Sequence, residues 1–130
     1  MKIMVCYDGS NVAKDALDLA KKYAKTFNAT ICLVTSMKTG PEIPREKFEN
    51  AENDLNHAKV SVRKEDIPCE NHLSEHALET GEDLVQFAEE NKVDMIFIGV
   101  RRRSKVGKLI FGSTAQYVIL NAPCPVVSVK

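Results

Sequence analysis

Two rhythms alternate along the chain: short, unbroken apolar runs, and longer stretches in which apolar residues recur every three or four positions. Lys2–Tyr7 is nearly all apolar, as expected of a strand covered on both faces. Beyond Asp8-Gly9-Ser10, residues Ala13, Ala16, Leu17, Ala20, Tyr23, Ala24 and Phe27 share one helical face, with Lys14, Asp18, Lys21 and Lys25 opposite. That spacing predicts a helix lying on a sheet, capped by Ser10 or Asn11 and stopped at Asn28. Ala29–Thr35 is a second buried strand, and Gly40, Pro41 and Pro44 mark a loop. A second helix carries Phe48, Ala51, Leu55, Ala58 and Val62 on one stripe. Cys69–Ser74 is a weak, polar strand signal that suits a sheet edge. Thr80–Asn91 predicts a third helix with Leu84, Val85 and Ala88 inward, and Thr80 with Asp83 resembles a capping pair. The strand Asp94–Gly99 follows, then a basic loop. Ser113–Asn121 predicts a fourth helix with Ala115, Val118, Ile119 and Ala122 on one side. Pro123-Cys124-Pro125 breaks it, and Val126–Val129 is a last short strand. Strands and helices alternating in this way imply an α/β fold: a parallel sheet with helices on both faces and right-handed crossovers.

Composition narrows the classes. At 130 residues the chain suits one domain, 1–130, with no internal repeat. Hydrophobic residues make up 44% and charged residues 28%, a globular balance. Lysine plus arginine equals aspartate plus glutamate at 18 each, so binding to nucleic acid or a membrane would need a local patch. Cys6, Cys32, Cys69 and Cys124 show neither Cys-x-x-Cys pairs nor zinc spacing, and Cys6 and Cys32 lie in apolar runs as small hydrophobes. No stretch resembles a signal peptide or a membrane span, and the expected compartment is the reducing cytoplasm.

The best candidate for chemistry is the segment between Gly99 and Gly112. Arg101, Arg102, Arg103 and Lys105 place fixed positive charge there. The amides of Ser113 and Thr114 would lie at a helix N-terminus, where unpaired N–H groups and the macrodipole favour an anion. In open parallel sheets ligands bind beyond the carboxyl ends of the strands, where strand order reverses. If the first and fourth strands are neighbours, Tyr7-Asp8-Gly9 meets the basic loop at that point. Neither G-x-G-x-x-G nor G-x-x-x-x-G-K-[ST] occurs, so the usual dinucleotide and P-loop signatures are absent. Asp8 could equally be a turn or capping residue, and the arginines a solvated loop. His57, His72 and His76 lie on polar stretches and are expected at the surface.

Asp8-Gly9-Ser10 after the first strand, Ile98-Gly99, Gly112-Ser113 and Asn121–Val127 together resemble the universal stress protein family, over essentially the whole chain. The resemblance implies a three-layer sandwich of flavodoxin-like, or adenine-nucleotide alpha-hydrolase-like, type, with strand order 3-2-1-4-5. It also implies a homodimer through the last strand, and ATP or a related adenine nucleotide as ligand, accompanied by Mg²⁺. Carried over residue by residue, Asp8 would hold the ribose, Ser36 would border the adenine, and Tyr7 and Ile98 would line the pocket. Gly99 would open the phosphate loop, while Gly112, Ser113 and Thr114 would present amides and hydroxyls to the phosphates. Arg101 and Arg102 are the cations placed for anion contact.

One departure is clear. The family's motif reads Gly, two residues, Gly, nine residues, Gly, then Ser or Thr, and Arg102 stands where the middle glycine belongs. A left-handed backbone there would cost about 1–2 kcal/mol for a non-glycine residue. One charge-assisted hydrogen bond from Arg102 to phosphate would return roughly 1.5–3 kcal/mol. The two effects are comparable, so the sequence leaves two readings open. One is a regulatory protein that binds ATP and signals by its bound state, with at most slow hydrolysis, since no motif places a general base. The other is a dimeric interaction module that has lost nucleotide binding. A nucleic-acid grip by the basic loop is disfavoured by zero net charge and 6% aromatic residues. The dimer has its own physical basis, because Val126, Val127 and Val129 would sit on a short apolar edge strand.

Overall fold

Nine elements follow one another in the computed structural model, which describes residues 1–101 and 112–130. They are β1 (Lys2–Cys6), α1 (Asn11–Phe27), β2 (Thr30–Lys38), α2 (Arg45–Arg63) and β3 (Cys69–His76), then α3 (Thr80–Glu90), β4 (Met95–Gly99), α4 (Ser113–Asn121) and β5 (Val126–Val129). The strands form one parallel sheet in the order β3-β2-β1-β4-β5. This is the expected sandwich, and its strand order reverses between β1 and β4.

Alternation along the central strands explains the two cores. Ile3, Val5, Ile31, Leu33 and Phe97 face α1 and α2, where Ala13, Ala16, Leu17, Ala20, Leu55, Ala58 and Val62 meet them. The intervening Met4, Cys32, Val34, Ile96 and Ile98 face the other way, toward Leu84, Val85, Ala88, Ala115 and Val118 of α3 and α4. Small alanines on α1 let that helix lie close to the sheet, and the fully buried Phe97 ring meets Tyr23 edge-on at 5.2 Å.

Local chemistry sets the helix ends. Ser10 Oγ accepts from the Ala13 amide at 3.2 Å, and Asn28 ends α1 in the left-handed region at φ 53°. At α3 the capping expectation fails. Glu79 is the cap residue and its side chain makes no cap bond, while Thr80 is already helical and Asp83 turns inward. Two helical positions expected inside are also exposed. Phe27 lies at the end of α1, past the sheet's cover, and Ile119 faces away from the stripe formed by Ala115 and Val118.

Both β2 and β3 run further than their apolar patterns. Cys6 at the end of β1 pairs with Val34, yet β2 continues through Thr35, Ser36, Met37 and Lys38, matched by Leu73 to His76 on β3. At about 3.3 Å per residue this two-stranded overhang rises roughly 13 Å above the rim of the sheet. Backbone pairing carries it where hydrophobic burial no longer does.

Candidate functional site

A cavity of about 420 Å³ opens at the carboxyl ends of the strands, where the order reverses. Its lining draws on β1 and its loop (Cys6, Tyr7, Asp8, Ser10), the end of β2 (Val34, Thr35, Ser36) and the end of β4 (Ile98, Gly99, Arg101). The start of α4 closes it with Gly112, Ser113, Thr114 and Ala115, and Thr80 and Leu84 of α3 complete the wall.

Backbone requirements fix two glycines here. Gly9 has φ +78°, which lets the chain turn sharply between Asp8 and the cap of α1. Gly99 touches the first turn of α1 so closely that an added Cβ would lie 2.7 Å from the Val12 carbonyl carbon. Its absent side chain is what brings the β4 loop against the Asp8 loop. At Gly112, by contrast, a Cβ would meet nothing within 4 Å among the described residues. Gly112 is the cap residue of α4 and offers no side-chain cap bond, so the first amides of α4 lack that local acceptor.

Asp8 is placed by its own loop and by the fourth strand's. Its Oδ1 accepts from the Ser10 amide at 3.0 Å, and its Oδ2 accepts from an Arg101 guanidinium N–H at 3.3 Å. Both readings of Asp8 therefore coexist: it shapes the turn, and its carboxylate still faces the cavity. With side-chain exposures of 61% and 53%, the Asp8–Arg101 pair is a solvated one, worth about 0–1 kcal/mol. Either partner can be given to a ligand at small cost. Cys6 is no nucleophile here, because burial, reinforced by the Asp8 charge, pushes its thiol up to about 12.

Nine of the ten expected site residues border this one cavity: Tyr7, Asp8, Ser36, Ile98, Gly99, Arg101, Gly112, Ser113 and Thr114. Tyr7 does so in a limited way, since its ring belongs to the core under α1 and α2. Arg102, like Arg103 and Lys105, lies outside the described residues.

A polar cluster of which the sequence pattern gives no sign meets the cavity through Ser36. Ser36 Oγ donates to Asp83 Oδ2 at 2.7 Å and lies 2.5 Å from His76 Nε2, which is itself 3.2 Å from Asp83 Oδ2. His76, expected at the surface, has a side chain only 10% exposed. Because the Ser36 hydroxyl spends its proton on Asp83, the His76 proton belongs on Nε2, aimed at Ser36 and Asp83. Nδ1 is buried with no partner among the described residues. A Ser-His-Asp hydrolase needs serine and aspartate on opposite ring nitrogens, with the serine-side nitrogen free to take a proton. Here both oxygens crowd one nitrogen, so the cluster braces β2, β3 and α3 rather than activating Ser36. The distant pairing Ser36↔Ser74, with His76 two residues on, is the signal that could have revealed it, but only once β3 was known to extend that far.

Comparison with known proteins gives the family and bears out the fold. The model of the universal stress protein family matches residues 1–130. A universal stress protein of Thermus aquaticus is 34% identical over 134 residues, covering 98% of this chain and 97% of its own. A solved universal stress protein of Archaeoglobus fulgidus superposes with a TM-score of 0.89 at 35% identity, covering 100% of this chain and 93% of the other. A second structure from that organism, described as a complex with dAMP, gives 0.86 at 33%, covering 100% and 98%.

Proposed function

Because this chain belongs to the universal stress protein family, we propose that it is a regulatory protein whose ligand is an adenine nucleotide, with ATP as the physiological form. One observation carries the reading. The Asp8 carboxylate, the Arg101 guanidinium and the amide end of α4 converge on a single cavity at the strand-order reversal. A volume of about 420 Å³ lies within the usual range for small-molecule sites. The dAMP complex of a protein 33% identical supports the base and sugar of the ligand.

In this reading the base sits against the ends of β2 and α3, near Ser36 and Leu84, and Asp8 accepts from the ribose hydroxyls. The phosphates reach the α4 end, where the amides and hydroxyls of Ser113 and Thr114 and the Arg101 charge favour an anion. Mg²⁺ enters as the counter-ion that ATP carries on its phosphates. Asp8 is the sole carboxylate among the described lining residues, and this reading commits it to the sugar. The same reading takes the protein to be cytoplasmic and homodimeric through β5. Among the described residues no helix is long and apolar enough to cross a membrane.

Calorimetric titration of the folded protein with ATP, ADP and AMP tests the proposal. Saturable binding that tightens with each phosphate is expected. Gly112→Val should weaken ATP far more than AMP, because its side chain would stand at the cavity's α4 end, where the outer phosphates are placed. No binding of any of the three at millimolar concentration would overturn the reading. The interaction module expected from Arg102 would then stand, and Arg102→Gly should create binding.

A further inference from the structure

Away from the cavity, on the α3 side of the sheet, three donors of different chemistry meet. Cys32 of β2 and Glu70 of β3 are register partners, and His72 is two residues further along β3, on the same face. Cys32 Sγ, a Glu70 carboxylate oxygen and a His72 ring nitrogen all lie within 4.8 Å of one another. We propose that Cys32, Glu70 and His72 form a binding site for a divalent transition-metal ion of the zinc type. The proposal is independent of the nucleotide reading.

The donor set decides the class of ion. A thiolate, an imidazole and a carboxylate together suit Zn²⁺ or Co²⁺, whereas Mg²⁺ and Ca²⁺ demand oxygen ligands. Tetrahedral donors at ordinary zinc distances stand roughly 3.5 Å apart, so side-chain rotation of about 1 Å closes the present spacing. Cys32 is fixed in the sheet at 1% exposure, and the His72 ring is held 5.1 Å from the Phe87 ring on α3. Glu70 and His72 reach in from the edge strand and are exposed, which leaves an entry path and a fourth position for water. Among the described residues, neither of these two side chains has a hydrogen bond or ion pair to give up.

Electrostatics opposes the thiolate while the site is empty. Burial, then the Glu70 charge, hold the Cys32 thiol protonated, with Lys2 opposing weakly. A divalent cation reverses that balance: Sγ–H loses its proton to solvent, the sulfur–metal bond forms, and Glu70 becomes an attraction. Metal affinity should therefore rise with pH. The consequence for the fold is a pin between β2 and the edge strand β3.

The test is titration of the full-length, metal-free protein with Co²⁺, followed by absorbance. One equivalent should produce a thiolate-to-cobalt charge-transfer band that Zn²⁺ abolishes, with release of about one proton per metal. His72→Gln, an exposed change that leaves the core intact, should cost at least the roughly 10–100-fold in affinity known for removal of a mere supporting group. Cys32→Ala should abolish the band while circular dichroism shows the fold retained. Absence of the band in the folded protein would overturn the site, as would an unchanged band or affinity in His72→Gln or Cys32→Ala. Stable binding of ATP in His72→Gln, as in the parent, would support the separation of the two sites.

Discussion

Asp8 and Gly99 show how little some residues contribute to stability and how much others do, although both stand on the same rim. Asp8→Ala removes a solvated pair and an exposed turn bond from the Ser10 amide, so the unfolding free energy should fall by only about 1–2 kcal/mol. The affinity for an adenine nucleotide should nevertheless fall by about tenfold or more, the ~1.5–3 kcal/mol of hydrogen bonds to a charged group. Gly99→Ala should do the reverse. Its Cβ would meet backbone of α1 at 2.7 Å, and such overpacking costs about 1–3 kcal/mol in urea unfolding. Behind the cavity, Asp83→Ala leaves Ser36 and His76 without their shared acceptor and should cost about 1–3 kcal/mol. A midpoint unchanged by Asp83→Ala would show that the cluster carries no structural weight.

At the level of elements, the apolar strands and the stripe on α1 were legible because burial alone specifies them. Ile3, Val5, Ile31, Leu33 and Phe97 are inside for no subtler reason than their side chains. What escaped was polar. His76 read as a surface residue and Asp83 as a capping one, because nothing in their own segments shows that Ser36, 40 and 47 positions away on β2, supplies the partner. The metal cluster was hidden likewise, since zinc spacing is sought along a chain while Cys32, Glu70 and His72 are assembled across a ladder. The strands also bury thiols, and this has a consequence in base. Burial pushes Cys6 and Cys32 up to about 12 and Cys69 to about 11, against an ordinary 9.0. Between those values the folded chain keeps protons that the unfolded chain has released, so their contribution is full below pH 9 and is lost as pH rises from there toward the folded-state values. Urea midpoints should fall across that window, and Cys6→Ala should make the fall shallower. An identical slope in Cys6→Ala would count against the raised thiol.

For the whole molecule, the two edges of the sheet differ in chemistry. The β3 edge is polar, whereas β5 presents half-buried Val126, Val127 and Val129 with one side unpaired among the described residues. An apolar edge strand of this kind invites a second copy, in keeping with the proposed homodimer. Sedimentation at micromolar concentration should give the dimer mass, and a purely monomeric boundary would rule it out.

The overhang of β2 and β3 makes the cleft lopsided. One bank is a parapet of cross-strand hydrogen bonds from Thr35 to Lys38, further tied by Ser36, His76 and Asp83. The opposite bank is built from a turn and the first turn of α4. A guest arriving in the cleft finds a stiff shore on the β2 side and must accommodate itself to it. Whatever adjustment binding brings belongs to the far shore. The β2 amides should accordingly exchange hydrogen at the same slow rate with the cleft empty or filled, while those at the start of α4 slow down.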